Sequence, residues 1–167
     1  KELVVSVLKQ KYNVVHTEGN FNSETGLPLS VFKIRKEHEV GVFEMGMNRQ
    51  DEIGEISKVL KPEYAIITNI GSAHIGMLGS RDNIAIEKKK AFTYVSKTGA
   101  VFIPAEDEYC NFLQKDILGK VVLFGENVPS EISHVKYLED CGLSGSVFCL
   151  DGIQINLKIP GIYNYRN

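Results

Sequence analysis

Three residues far apart in the chain carry side chains whose types and surroundings suit chemistry: Glu44, His74 and Lys88. Glu44 closes the apolar run Val40-Gly-Val-Phe-Glu44, and His74 follows a second run, Tyr64-Ala-Ile-Ile-Thr-Asn-Ile70, by four residues. In an open parallel sheet the carboxyl ends of neighbouring strands face one crevice, so groups leaving two adjacent strands meet there. A carboxylate at such a place suits Mg2+, a hard cation that takes oxygen ligands. A strand-end glutamate also serves as a plain solvated loop residue; its position favours the ligand reading. His74 stands apart from His16, His38 and His134, which read as structural or exposed, because its strand is the expected neighbour of the Glu44 strand.

Lys88 opens the triplet Lys88-Lys89-Lys90. Successive residues on a helix differ by about 100°, so the three cannot share one crevice. Ile84, Ala85, Lys88, Phe92 and Val95 recur at helical spacing, which turns Lys88 towards the apolar side. A lysine in low-dielectric surroundings beside a cation has a lowered pKa. Its neutral amine can take up CO2 as a carbamate, which offers a further carboxylate-like ligand.

Two more segments supply polar groups. Thr17 to Ser30 is a long loop leading into a helix, with side-chain amides at Asn20 and Asn22 and with Gly26 and Pro28 shaping the helix start. It reads equally as a turn-rich connection or as part of a binding site. Gly46 lets backbone approach a ligand after Glu44, and Asn69 at the second strand end is placed to orient a phosphate or substrate.

These groups need a scaffold. Apolar runs at 13–17, 39–45, 64–70, 99–104 and 120–125 alternate with helical patterns at 2–12, 26–36, 51–60, 80–96 and 107–117. That alternation predicts an α/β fold, a mostly parallel sheet flanked by helices. Asp51 and Ser80 are the expected caps of their helices, with Glu55 in the first turns of the former. After Pro129 the character changes: runs at 134–138, 146–150 and 153–159, the last two joined by Asp151-Gly152, predict a small antiparallel sheet.

The 167 residues suffice for one domain with an ordinary core. A hydrophobic content of 43% with 24% charged residues is that of a globular protein. The net charge of −2 gives no general attraction to nucleic acid or to an anionic membrane. No apolar run approaches the roughly 20 residues of a membrane span. Cys110, Cys141 and Cys149 lack metal spacing and are expected as reduced thiols of a cytoplasmic protein. The first helix starts at Lys1-Glu2 without a cap, so the chain is expected to be the middle piece of something longer.

Taken in order, the segments resemble the central domain of the ATP-dependent Mur ligases. The matching text is Thr17-x-Gly-Asn-x-Asn…Gly26-Leu-Pro-Leu, Val42-Phe-Glu-Met-Gly-Met-Asn48, Glu52-Ile-Gly-Glu-Ile56 and Lys61-Pro-Glu-Tyr-Ala-Ile-Ile-Thr-Asn-Ile70. It continues through Ala73-His74, Gly79-Ser80, Ile84-Ala85 and Lys88 to Pro160-Gly161…Asn164…Asn167. The first two segments together point to the branch that adds D-alanyl-D-alanine.

The resemblance implies a P-loop-like domain whose first strand and phosphate loop are missing, lying between N- and C-terminal domains of a three-domain enzyme. It implies ATP and Mg2+ as cofactors, with Glu44, His74 and carbamylated Lys88 at the metal. Lys88 and His74 become the catalytic residues, Thr17, Asn20 and Asn22 line the substrate site, and Asn69 lies by the nucleotide. The implied reaction joins D-alanyl-D-alanine to UDP-N-acetylmuramoyl-tripeptide through an acyl phosphate in peptidoglycan precursor synthesis, and residues 1–167 alone should not turn over. Two departures stand out. Pro104 occupies a place where the family often has an asparagine, and Lys89-Lys90 replace a small residue and an acid, so the register could place Lys89 in the role of Lys88. Other members of the superfamily, such as cyanophycin- or folylpolyglutamate-type synthetases, or a non-catalytic binding module of this fold, are the rival readings.

Overall fold

A computed structural model describes residues 1–125, 128, 135–161 and 164. Pro129, His134 and Asn167, on which the sequence reading drew, lie outside them. The first half runs α1 (Glu2–Leu8), β1 (Val14–His16), α2 (Gly26–Val31), β2 (Val40–Val42), α3 (Glu52–Leu60) and β3 (Tyr64–Ile66). It continues with α4 (Ile75–Leu78), α5 (Arg81–Lys89, passing into a 3-10 turn at Lys90–Phe92), β4 (Ala100–Pro104), α6 (Cys110–Leu113) and β5 (Lys120–Phe124). Last come β6 (Val135–Asp140), β7 (Ser146–Leu150) and β8 (Ile153–Leu157).

The parallel sheet is present in two ladders, β1-β2 and β3-β4-β5, each pair parallel. Strand β4 is the central strand of its ladder and is apolar on both faces, with Val101 and Ile103 fully buried. Against it pack Ile84, Ala85, Phe92 and Val95 from the α5 stretch, while Met47 and Ile53 from the β2–α3 side complete the same core. The third sheet is the expected antiparallel one, in the order β6-β7-β8. Its last turn pairs Leu150 with Ile153 across Asp151 and Gly152, both at positive φ, the backbone that a two-residue hairpin requires.

Two expectations are corrected. The Glu44 strand and the His74 strand are not hydrogen-bonded neighbours: among the described residues β2 pairs with β1 and β3 with β4. Asp51 does not cap α3 with its side chain, which instead pairs with Lys90 at 2.9 Å; Ser80 does cap α5, accepting the Asn83 N–H at 3.1 Å. The strands are also shorter than the apolar runs. Beyond Val42 the Glu44 N–H turns to the Thr17 hydroxyl, and beyond Ile67 the Ile70 N–H turns to Asp107, so side chains replace ladder partners where the strands end. None of the described helices is long and apolar enough to cross a membrane.

Candidate functional site

The end of β2 is built around Glu44. Thr17, fully buried, extends the β1–β2 ladder by donating its N–H to Val42 O at 3.0 Å. Its hydroxyl accepts the Glu44 N–H at 3.1 Å, fixing the backbone from which the carboxylate projects. Asn22 Nδ2 then donates to Glu44 Oε1 at 3.0 Å. Thr17 has no exposed surface, and its hydroxyl is engaged with the backbone of Glu44. Asn20 is exposed and its side chain has no partner among the described residues.

Two buried glutamates to which the sequence assigned no site role, Glu52 and Glu87, stabilise the loops around Glu44. Glu52 accepts N–H groups from Asn48 at 2.6 Å, Arg49 at 3.3 Å and Glu24 at 3.4 Å, tying the turn after β2 to the loop before α2. Glu87, 1% exposed, accepts the N–H of Asp51 and of Ile53, each at 2.9 Å, and so does the capping that Asp51 leaves undone. Glu87 falls three residues after Ile84 on the apolar stripe of its helix; that placement was a signal available in the sequence.

At the end of β3, Lys88 Nζ donates to the Asn69 carbonyl at 2.8 Å. Residue Ile70 is gripped on both sides: its N–H donates to Asp107 Oδ2 at 2.7 Å, and its carbonyl accepts from Arg81 at 2.9 Å. Burial pushes the Lys88 amine below the usual lysine range, against the opposing pull of the Asp107 carboxylate. Lys89 instead reaches the Phe112 carbonyl at 2.9 Å, and Lys90 reaches Glu87 and Asp51. Only Lys88 of the three therefore serves the strand ends, which favours it in the register left open by the sequence. Asp107 follows Pro104 in the segment where the expected asparagine is missing, and its contacts show that the neighbouring acid still organises this strand end.

His74 lies in the loop after β3, exposed, with a left-handed backbone (φ 66). Its carbonyl starts α4, and its imidazole has no hydrogen bond among the described residues. Two groupings thus exist, Thr17–Asn22–Glu44 and Asn69–Lys88–Asp107, with His74 beside the second in sequence. No set of three or more His, Cys, Asp and Glu side chains is gathered into a cation site among the described residues.

The whole chain, residues 1–167, matches the Mur ligase middle domain family. The chain belongs to that family. This Mur ligase middle domain is 42% identical over 170 residues to a UDP-N-acetylmuramoyl-tripeptide--D-alanyl-D-alanine ligase of Treponema pallidum, covering 100% of this chain and 36% of the relative. It superposes on MurF from Acinetobacter baumannii with a TM-score of 0.91 at 29% identity, over 99% of this chain and 37% of that one. MurF ligase from Thermotoga maritima in complex with ADP matches with a TM-score of 0.75 at 28% identity, over 96% of this chain and 37% of that one. This Mur ligase middle domain therefore spans little more than a third of the proteins it resembles.

Proposed function

We propose that this domain is the ATP-binding centre of a three-domain ligase that joins D-alanyl-D-alanine to UDP-N-acetylmuramoyl-tripeptide, with N- and C-terminal domains outside residues 1–167. The observation that carries the proposal is the 42% identity, across the full chain, to the Treponema pallidum relative of that name. Among the described residues β2 and β3 each have one edge without a ladder partner, which supports a further strand from elsewhere in the same protein. The compartment proposed is the cytoplasm, where ATP and nucleotide-linked sugars are at hand.

The donor groups fit a hard dication in part as they stand. Glu44 keeps Oε2 without a described partner while Asn22 holds Oε1, and the His74 imidazole is likewise unengaged. Lys88 as an ammonium repels a cation, but burial lowers its pKa and so favours the neutral amine that forms a carbamate. Glu44, His74 and carbamylated Lys88 would hold Mg2+, which supplies charge neutralisation on the phosphate oxygens of ATP. The chain's own residues do the positioning: Thr17 and Asn22 orient Glu44, Asp107 and Arg81 hold the backbone beside Asn69, and the exposed side chains of Asn20 and Asn69 would serve as donors for substrate and nucleotide. The tripeptide carboxylate becomes an acyl phosphate at the expense of ATP, and the D-alanyl-D-alanine amine displaces phosphate.

The test is ligation by the full-length protein supplied with both substrates, ATP and Mg2+. Pentapeptide product with equimolar ADP and phosphate is the expected result. Acceptance of a different amine, such as glutamate, with D-alanyl-D-alanine ignored would place the protein in another branch of the family.

A further inference from the structure

Glu44 and Lys88 belong to different halves of the molecule, because β2 and β3 share no ladder among the described residues. Helix α5 spans both halves through two successive residues. Glu87 turns its carboxylate into the start of α3, accepting the Asp51 and Ile53 N–H groups at 2.9 Å. Lys88, about 100° further round the helix, turns to the end of β3 and donates to Asn69 O at 2.8 Å.

We infer that Glu87 is a positioning residue, which sets the Glu44 half of the site against the Lys88 half. The inference rests on the site reading given above. A carboxylate is needed because the backbone at Asp51 is left-handed (φ 66) and α3 receives no cap from its own side chains, so its first N–H groups need an acceptor from elsewhere. The positive end of the α3 dipole favours that charge, and Lys90 at 2.7 Å balances it. The linkage then runs along the chain. Glu52, within the turn that Glu87 caps, holds Asn48, Arg49 and Glu24 by their N–H groups, and the Glu24 loop carries Asn22, which holds Glu44. An apolar residue at position 87 would fill the space without fixing where α3 begins.

The test uses the full-length protein and three variants: Glu87→Gln, the charge-neutral double variant Glu87→Gln/Lys90→Met, and Ile56→Val as a control that loosens α3 without touching the carboxylate. Amide hydrogen exchange is followed without metal or nucleotide, alongside steady-state ligation kinetics. Losing a hydrogen bond to a charged group predicts, for Glu87→Gln, exchange about tenfold faster at residues 48–53 and also at 69–74, which Glu87 does not touch, with 100–104 unchanged. The same variant should lower kcat about tenfold with KM for ATP within about twofold of wild type. If Glu87→Gln alone does not fold, the double variant must give this pattern. Faster exchange confined to 48–53, an unchanged kcat, or the same pattern in Ile56→Val overturns the inference. Should Glu44→Gln and Lys88→Met leave ligation intact, the site reading falls and this inference with it; should both abolish ligation while Glu87→Gln keeps the wild-type kcat, only the inference falls.

Discussion

Asn22 holds Glu44 by a side-chain hydrogen bond of 3.0 Å, and the Asn22 carbonyl accepts the Gly46 N–H at 2.7 Å. One residue therefore grips both sides of the turn that follows β2. The grip leaves no room beside it: a Cβ on Gly46 would lie 2.9 Å from Asn22 Cγ and Oδ1. Gly46 is thus needed for a close approach within the protein, in addition to any ligand.

Asn22→Ala removes a hydrogen bond to a charged group, which contributes about 1.5–3 kcal/mol. The expected result is a fall in kcat/KM for ligation of at least about tenfold, measured as ADP release by the full-length protein. Gly46→Ala should lower the rate in the same direction by displacing the Asn22 amide.

The lysine triplet separates by environment. Burial depresses the Lys88 amine, whereas for Lys90 burial is outweighed by hydrogen bonds to Glu87 and Asp51, and the net shift is upward. As pH rises from neutral, Lys88 loses its proton before Lys90. Acylation at mildly alkaline pH, read by mass spectrometry, should modify Lys88 faster than Lys90. The sign for stability follows: the folded-state pKa of Lys88 lies below its unfolded value, so the charged amine disfavours folding below that pKa and the cost is relieved as pH rises through it.

Lys89 has a structural role, with its amine 4.6 Å from the centre of the Phe112 ring and bonded to the Phe112 carbonyl. Lys89→Met should retain ligation and lose about 0.5–1 kcal/mol of stability in urea unfolding. Lys88→Met should abolish ligation. The opposite ranking would shift the functional register by one residue.

Gly99 marks a close approach of backbone to backbone. A Cβ there would meet the Glu63 carbonyl oxygen at 2.1 Å and the Val95 side chain at 3.0 Å. Gly99→Ala is expected to destabilise the domain by about 1–3 kcal/mol, visible as a lower urea midpoint. The rate per folded molecule should not change.

Local pattern carried much of the fold. The stripe Ile84, Ala85, Phe92 and Val95 is buried as its spacing required, which brought Lys88 inward, and Asp151-Gly152 forms the expected turn. What local pattern missed was long-range. Capping logic gave Asp51 to its own helix, but Lys90, 39 residues away, takes that carboxylate and Glu87 takes its place. The strand ends at 43–45 and 67–70 close apolar runs that predict extended chain, yet Thr17 and Asp107 draw the Glu44 and Ile70 N–H groups out of the ladders. That β2 pairs with β1 and not with β3 among the described residues is likewise a fact of topology, which no run of residues in either strand encodes.

Glu44, His74 and Lys88 are proposed to serve one cation. A crystal of the full-length protein with Mn2+ and a non-hydrolysable ATP analogue measures this most directly, through the position of the anomalous peak. The expected peak lies within about 2.0–2.6 Å of a Glu44 oxygen and a His74 nitrogen, with a carbamate on Lys88 beside it. A bound metal with neither Glu44 nor His74 in its coordination sphere would contradict it.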